Sequence, residues 1–234
     1  MIKDEIVKKS PLRILEQSMH GGGLGKGNIA VIAAPKGMGK TACMVHLATD
    51  HLLEGRHVIH VSFAHDTRHI ITWYEDIFDE IAKRYRLDGA KDVHDDIIKH
   101  RVILNFRQDG VSAGQVQRSV RSLINSGNFN AEAVFVDGYD LARCSGEEFG
   151  SFKKFAAEAG LELWFSASVP KTSAVRTVPD FLERHLAALA VFIVLEPCGN
   201  YIHLKLVKDH EKVPIQDLHL KLDPHNLLIA EEAG

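Results

Sequence analysis

The residues Ala34–Ala42, "APKGMGKTA", have the types and spacing of a loop that holds phosphate. The pattern is Ala34-x-x-x-x-Gly39-Lys40-Thr41, with Lys36, Gly37, Met38 and Ala42 completing the candidate cradle. Gly37 and Gly39 let the backbone turn tightly and come close to an anion. The loop's N–H groups, with those of the helix that follows, offer a concave set of donors. Lys40 brings a point charge to the β- and γ-phosphates of a bound ATP, and the Thr41 hydroxyl suits Mg²⁺. A small residue, Ala34, stands where the common motif opens with glycine.

A second oxygen donor comes from "AVFVDG", which places Asp137 at the end of an apolar run. An aspartate at the C-terminal end of a strand can hold a Mg²⁺-bound water opposite Thr41. It lies 137 − 40 = 97 residues beyond Lys40, room for two intervening strand–helix units.

These groups need elements to carry them. "NIAVIAA" reads as a strand leading into the loop, and "KTACMVHLATDHLLEG" as the helix leaving it. "RHVIHVSFA" and "RVILNF" read as strands, with a helix on "TRHIITWYEDIFDEIAKRYRL" and a short one in "DGAKDVHDDIIKH". A helix runs from near Ser112 to Gly127, and another covers "GEEFGSFKKFAAEAG" with Gly160 as its terminator. "LELWFSAS" is a strand and "DFLERHLAALA" is expected to be a helix. After it the period changes, and "VFIVLEP", "YIHLKLVKDH" and "IQDLHLKLD" read as hairpin strands. The alternation predicts an α/β fold, a largely parallel sheet with helices on both faces and antiparallel hairpins at one edge.

Composition narrows the function. The net charge of −3 and pI of about 6.5 give no basic field for nucleic acid. Three widely spaced cysteines, Cys43, Cys144 and Cys198, fit a reducing cytosol. "MIKDEIVKKS" is charged and lacks an apolar core, so no signal peptide is expected. No apolar run nears the roughly 20 residues of a membrane span. A cytoplasmic protein without a membrane partner is the expectation. The fourteen histidines are scattered, and no helical His-x-x-x-His pair argues for a metal.

The stretch "GGGLGKGNIAVIAAPKGMGKTA" resembles the opening of the RecA-like P-loop ATPases of the KaiC and DnaB branch. "GRHVIHVSF" resembles their second strand, "AVFVDG" their Walker B strand, "LELWFSAS" their sensor strand and "IHLKLVKDHEKVP" their late hairpin. The resemblance runs from about Pro11 to about Leu228 and implies a linker segment over 1–20 and one ATPase domain over 21–234. It further implies ATP and Mg²⁺ as cofactors, and a homo-oligomer, such as a ring, as the assembly. Leu12, Ile14, Leu15 and Met19 either cover the chain's own sheet or dock on an adjacent copy.

Three places depart from the family. Ala64 stands where the second strand carries the glutamate that polarises water. Ala167 stands where the sensor strand of the DnaB type carries glutamine, and Lys208-Asp209-His210 replaces Lys-x-Arg. An alanine cannot orient water, and a histidine lacks the guanidinium fork. The catalytic group is therefore open, with Asp66, His65 and Lys208 as candidates. The leading expectation is a nucleotide-dependent assembly switch with slow or absent hydrolysis. The alternatives are an active motor or recombinase-like ATPase on DNA and a small-molecule kinase. The sparsely basic segments "GYDLARCSGEEFG" and "SVPKTSAVRTVPD" speak against both.

Overall fold

The computed structural model describes residues 6–107, 110–170, 179–212 and 216–231. Lys171 and Arg176 of the second sparsely basic segment lie outside these residues. Nine strands form one sheet in the order β3-β2-β4-β5-β1-β6-β7-β8-β9. The strands are β1 (Ile29–Ala34), β2 (His57–Ser62), β3 (Arg101–Asn105), β4 (Ala131–Asp137), β5 (Glu162–Ser168), β6 (Val191–Cys198), β7 (Tyr201–Asp209), β8 (Gln216–Leu222) and β9 (Ile229–Glu231). From β3 to β6 all neighbours are parallel, and from β6 to β9 all are antiparallel. The hairpin edge is as expected, with β9 added to it.

The helices are α1 (Pro11–Ser18), α2 (Lys40–Leu53), α3 (Thr67–Tyr85), α4 (Ala90–Lys99), α5 (Ala113–Ser126), α6 (Gly146–Ala159) and α7 (Asp180–Glu183). Their ends follow side-chain chemistry. Ser112 caps α5 with a capping box closed by Gln115, and Gly160 ends α6 at φ 64°. The helix expected over "DFLERHLAALA" is only the four residues of α7. Beyond it the chain turns by short bonds, His185 N–H to Leu182 C=O and Ala188 N–H to His185 C=O. Burying Leu182, His185 and Leu189 at one place outweighs helix propensity there.

The parallel strands are buried on both faces because alternate residues feed two cores. Ala30, Ile32 and Ala34 join Phe135 and Trp164 in a layer under α1 to α4. Ile29, Val31 and Ala33 join Val136 and Phe165 in a layer under α5 and α6.

The phosphate-loop helix α2 runs through the first layer and is buried from Ala42 to Leu53. It binds both ends of the described chain through two polar side chains one turn apart. Asp50 Oδ2 accepts the Leu12 N–H of α1 at 3.0 Å, and His46 Nδ1 accepts the Ile229 N–H of β9 at 2.8 Å. Burial, helped by the Arg84 charge, pushes His46 down to about 3, which leaves the ring neutral and Nδ1 free to accept. Leu12, Leu15 and Met19 are buried against their own chain, and Ile14 is partly buried beside them.

Burial raises the Asp50 carboxyl well above its ordinary range, with the Leu12 bond opposing. A carboxyl raised in the folded state adds stability that is full below its unfolded value of 3.8 and is lost as pH rises through the folded value. Asp50→Asn keeps an acceptor for Leu12 and removes that loss. The stability difference between the Asp50→Asn variant and the native chain is expected to grow in the variant's favour above about pH 4. Urea midpoints across pH check it, and a difference independent of pH rejects the assignment.

Candidate functional site

The site forms where β1, β5 and β4 end side by side. Strand β5 lies between the loop strand and the Asp137 strand, so its end is the bridge between them. Thr41 Oγ1 donates to Asp137 Oδ2 at 2.7 Å. Ser166 Oγ donates to Asp137 Oδ1 at 2.6 Å and accepts the Gly138 N–H at 2.9 Å. Lys40 Nζ donates to the Ala34 and Pro35 carbonyls at 2.9 and 3.0 Å, within its own loop. Burial lowers the Lys40 ammonium's pKa, and the Asp137 charge opposes that. An anion arriving at the loop would relieve the same desolvation.

Gly39 caps α2 at φ 77° with no side-chain cap, so the first-turn N–H groups of α2 have no side chain covering them. A Cβ on Gly39 would lie 2.4 Å from Leu222 Cδ2 of β8, whereas a Cβ on Gly37 would meet nothing within 4 Å. The loop is thus packed on its hairpin side and open at Gly37. That opening, the uncapped helix start and two hydroxyl or carboxylate oxygens in contact fit a phosphate group and a hard divalent cation. Thr41 and Asp137 would hold the cation, whose chemistry there is charge neutralisation on phosphate oxygens.

Ser166 is the site residue that motif reading missed. Alternation along "LELWFSAS" could have found it. Trp164 packs in the α2 layer and Phe165 and Ala167 in the α6 layer, so Ser166 shares the face of Asp137. Ala167, read as the sensor position, faces away from the loop, among the α6 contacts.

The same face holds His60, fully buried two residues before Ser62. Its Nδ1 lies 3.0 Å from the Tyr74 hydroxyl. Burial pushes the imidazole down to about 4, against the Asp137 charge, so a neutral ring lies behind the site.

The catalytic candidates are dispersed. The expected strand over "RHVIHVSFA" stops at Ser62, whose hydroxyl takes the Ala64 N–H at 3.1 Å and turns the chain toward α3. His65 is exposed in that turn. Asp66 is the cap of α3: Oδ1 accepts the Arg68 N–H at 2.9 Å and Oδ2 the Arg68 Nε at 2.8 Å. The Arg68 hydrogen bonds hold its carboxyl below the usual range.

Lys208 lies at the other end of the sheet. Asp209 pairs with Val191 at the start of β6, on the order of 15–20 Å of strand from the loop. Lys208 Nζ donates to the His210 carbonyl, and burial lowers its pKa against the Glu211 and Asp209 charges. The His210 ring spans Asp209 Oδ1 at 2.8 Å and the Leu24 carbonyl at 3.3 Å. Asp209 Oδ2 also accepts the His20 N–H at 2.8 Å, so the pair fastens the glycine turn of the same chain.

No protein-family model matches the sequence, and no curated protein does. Among solved structures, the ATPase domain of a DnaB-family helicase superposes with a TM-score of 0.69 at 17% identity, over 94% of this chain and 90% of that one. The RecA-like P-loop fold implied by the sequence resemblance is therefore borne out as a fold. Among the described residues no helix is long and apolar enough to cross a membrane.

Gly39→Ala is expected to destabilise the chain by about 1–3 kcal/mol, through the left-handed backbone and the Leu222 contact. Gly37→Ala meets no such contact and should cost less. Denaturant midpoints of the two variants check the order.

Proposed function

We propose that this protein binds ATP with Mg²⁺ at Gly37–Ala42 and Asp137 and acts as a nucleotide-dependent assembly switch with slow or absent hydrolysis. One contrast carries the reading. The groups that bind are assembled: Lys40 in its loop, an uncapped α2, and Asp137 held by Thr41 and Ser166. The groups that would cut are missing or engaged. Ala64 offers no carboxylate, Asp66 is committed to Arg68, and His210 is committed to Asp209 and Leu24. Losing groups that act on the transition state lowers rate while sparing affinity. The solved ATPase domain that shares this fold supports a nucleotide-binding reading by its architecture and its title.

In the switch, Lys40 and the loop N–H groups bind and orient phosphate. Asp137 and Thr41 hold the cation. Residues 1–20 form the linker segment, and copies assemble as a homo-oligomer, for which a ring is one form. The neutral balance of the segment after Asp137, with Arg143 paired to Asp140 at 3.4 Å, favours this over a DNA motor.

Three measurements test the reading. ATP with Mg²⁺ should raise the melting temperature of the native chain, and Lys40→Ala should abolish the shift. Equal shifts in both chains would sink nucleotide binding at this loop. Steady-state turnover should lie well below about 1 s⁻¹, and Ala64→Glu should raise it. A faster native rate, or one that collapses on Asp66→Asn, would show a working catalytic group. Light scattering should report an ATP-dependent gain in mass, and a strict monomer with and without ATP refutes the assembly role.

A further inference from the structure

Across the sheet from the Thr41–Asp137 contact lies a second concavity that the nucleotide reading leaves unused. It is a cleft of about 630 Å³ over the ends of β4 and β5. Small-molecule sites fall in the range of about 300–1,000 Å³. One wall is the turn Gly138–Cys144, and the rim includes Lys36 of the phosphate loop. We propose that this cleft is an effector site for a small aromatic anion, whose presence is felt at the nucleotide site through Ser166 and Gly138.

The walls are preformed. Glu148 Oε1 accepts the Tyr139 hydroxyl at 2.7 Å and the Ala113 N–H at 3.0 Å. The Leu141 carbonyl lies 3.3 Å from His185 Nε2, and Arg184 Nη2 donates to the Ala142 carbonyl at 3.4 Å. The turn after β4 is therefore tied to α5, α6 and the α7 segment at four points, and binding need not spend energy ordering it.

Charge selects an anion. Asp140 and Arg143 pair with each other. The Glu148 carboxylate sits in the first turn of α6 and on the first N–H of α5, where helix dipoles offset it. Lys36 has no hydrogen-bonded or ionic partner among the described residues, and it is the charge left over. Phe63, Tyr139 and Phe181 supply ring surface, which favours an aromatic body. A single unpaired cation is too few for a phosphate track, which excludes a nucleic-acid strand as the favoured occupant.

The link to the nucleotide site is short. The Ser166 hydroxyl lines the cleft and holds both Asp137 Oδ1 and the Gly138 N–H. A ligand that shifts Gly138 or Ser166 shifts the carboxylate. This coupling rests on the proposed nucleotide function; the binding itself does not.

Fluorescence titration of the full chain with 8-anilinonaphthalene-1-sulfonate, an aromatic anion, tests the site. One saturable site per chain is expected. Ala142→Trp, at an exposed rim position, should weaken it by about tenfold or more by filling the mouth. Lys36→Gln should weaken it by about tenfold, the loss of one charged contact. The neutral analogue N-phenyl-1-naphthylamine should not respond to Lys36→Gln. Affinity unchanged in Ala142→Trp, or in Lys36→Gln, overturns the site, and displacement of the dye by a single-stranded oligonucleotide overturns the ligand class. Dye affinity should change by about threefold or more with Mg²⁺-ATP, the low end of site–site coupling being near fivefold. An unchanged affinity, in samples that still show the ATP melting shift, overturns the effector role and leaves nucleotide binding standing.

Discussion

Both oxygens of the Asp137 carboxylate are taken by hydroxyls, Thr41 at 2.7 Å and Ser166 at 2.6 Å, and the order of the central strands follows from the same requirement. A side chain on β4 can reach the helix after β1 only if the strand between them contributes small residues at its end. Strand β5 does so with Ser166-Ala167-Ser168, paired in register with Ile32-Ala33-Ala34. The alternation that sends Ser166 to the loop side sends Phe165 and Ala167 to the α6 side. One strand end thus closes the site and completes the opposite core.

The loop itself is held by burial more than by its own bonds. Helix α2 sits in the first core layer, with Leu222 of β8 against Gly39. Desolvation is tolerated at His46 and Asp50 because each accepts a main-chain N–H from a chain end. The hairpin extension is therefore part of the phosphate loop's support. Its inner face covers α2, and its outer face carries a polar ladder that includes Glu196 with Lys205 and His203 with Asp217.

The departures from the family at Ala64 and His210 have local structural uses. With no carboxylate at Ala64, the chain leaves β2 through the Ser62 hydroxyl and spends the next acid, Asp66, on capping α3 and pairing with Arg68. At the opposite end, Asp209 and His210 fasten the glycine turn before β1. Groups that are engaged in capping and stitching must break those bonds before they act on a phosphate.

Local patterns in the sequence determined most of the fold. The strand–loop–helix order around Lys40, the period-two runs ending at Asp137 and Ser168, the Ser112 and Gly160 signals and the late change of period all depend on contacts a few residues long. The type and position of the phosphate-loop and Asp137 groups were legible for the same reason. Only the tertiary structure decided what depends on strands far apart in sequence. That includes Ser166 as the bridge, because nothing near it in the chain reports that β5 lies between β1 and β4. It includes the shortening of "DFLERHLAALA" to four residues, set by where Leu182, His185 and Leu189 are buried. It also includes the fates of Asp66 and Lys208, one drawn into a helix cap and the other placed at the far end of the sheet, since a side chain's role is fixed by the partner it meets.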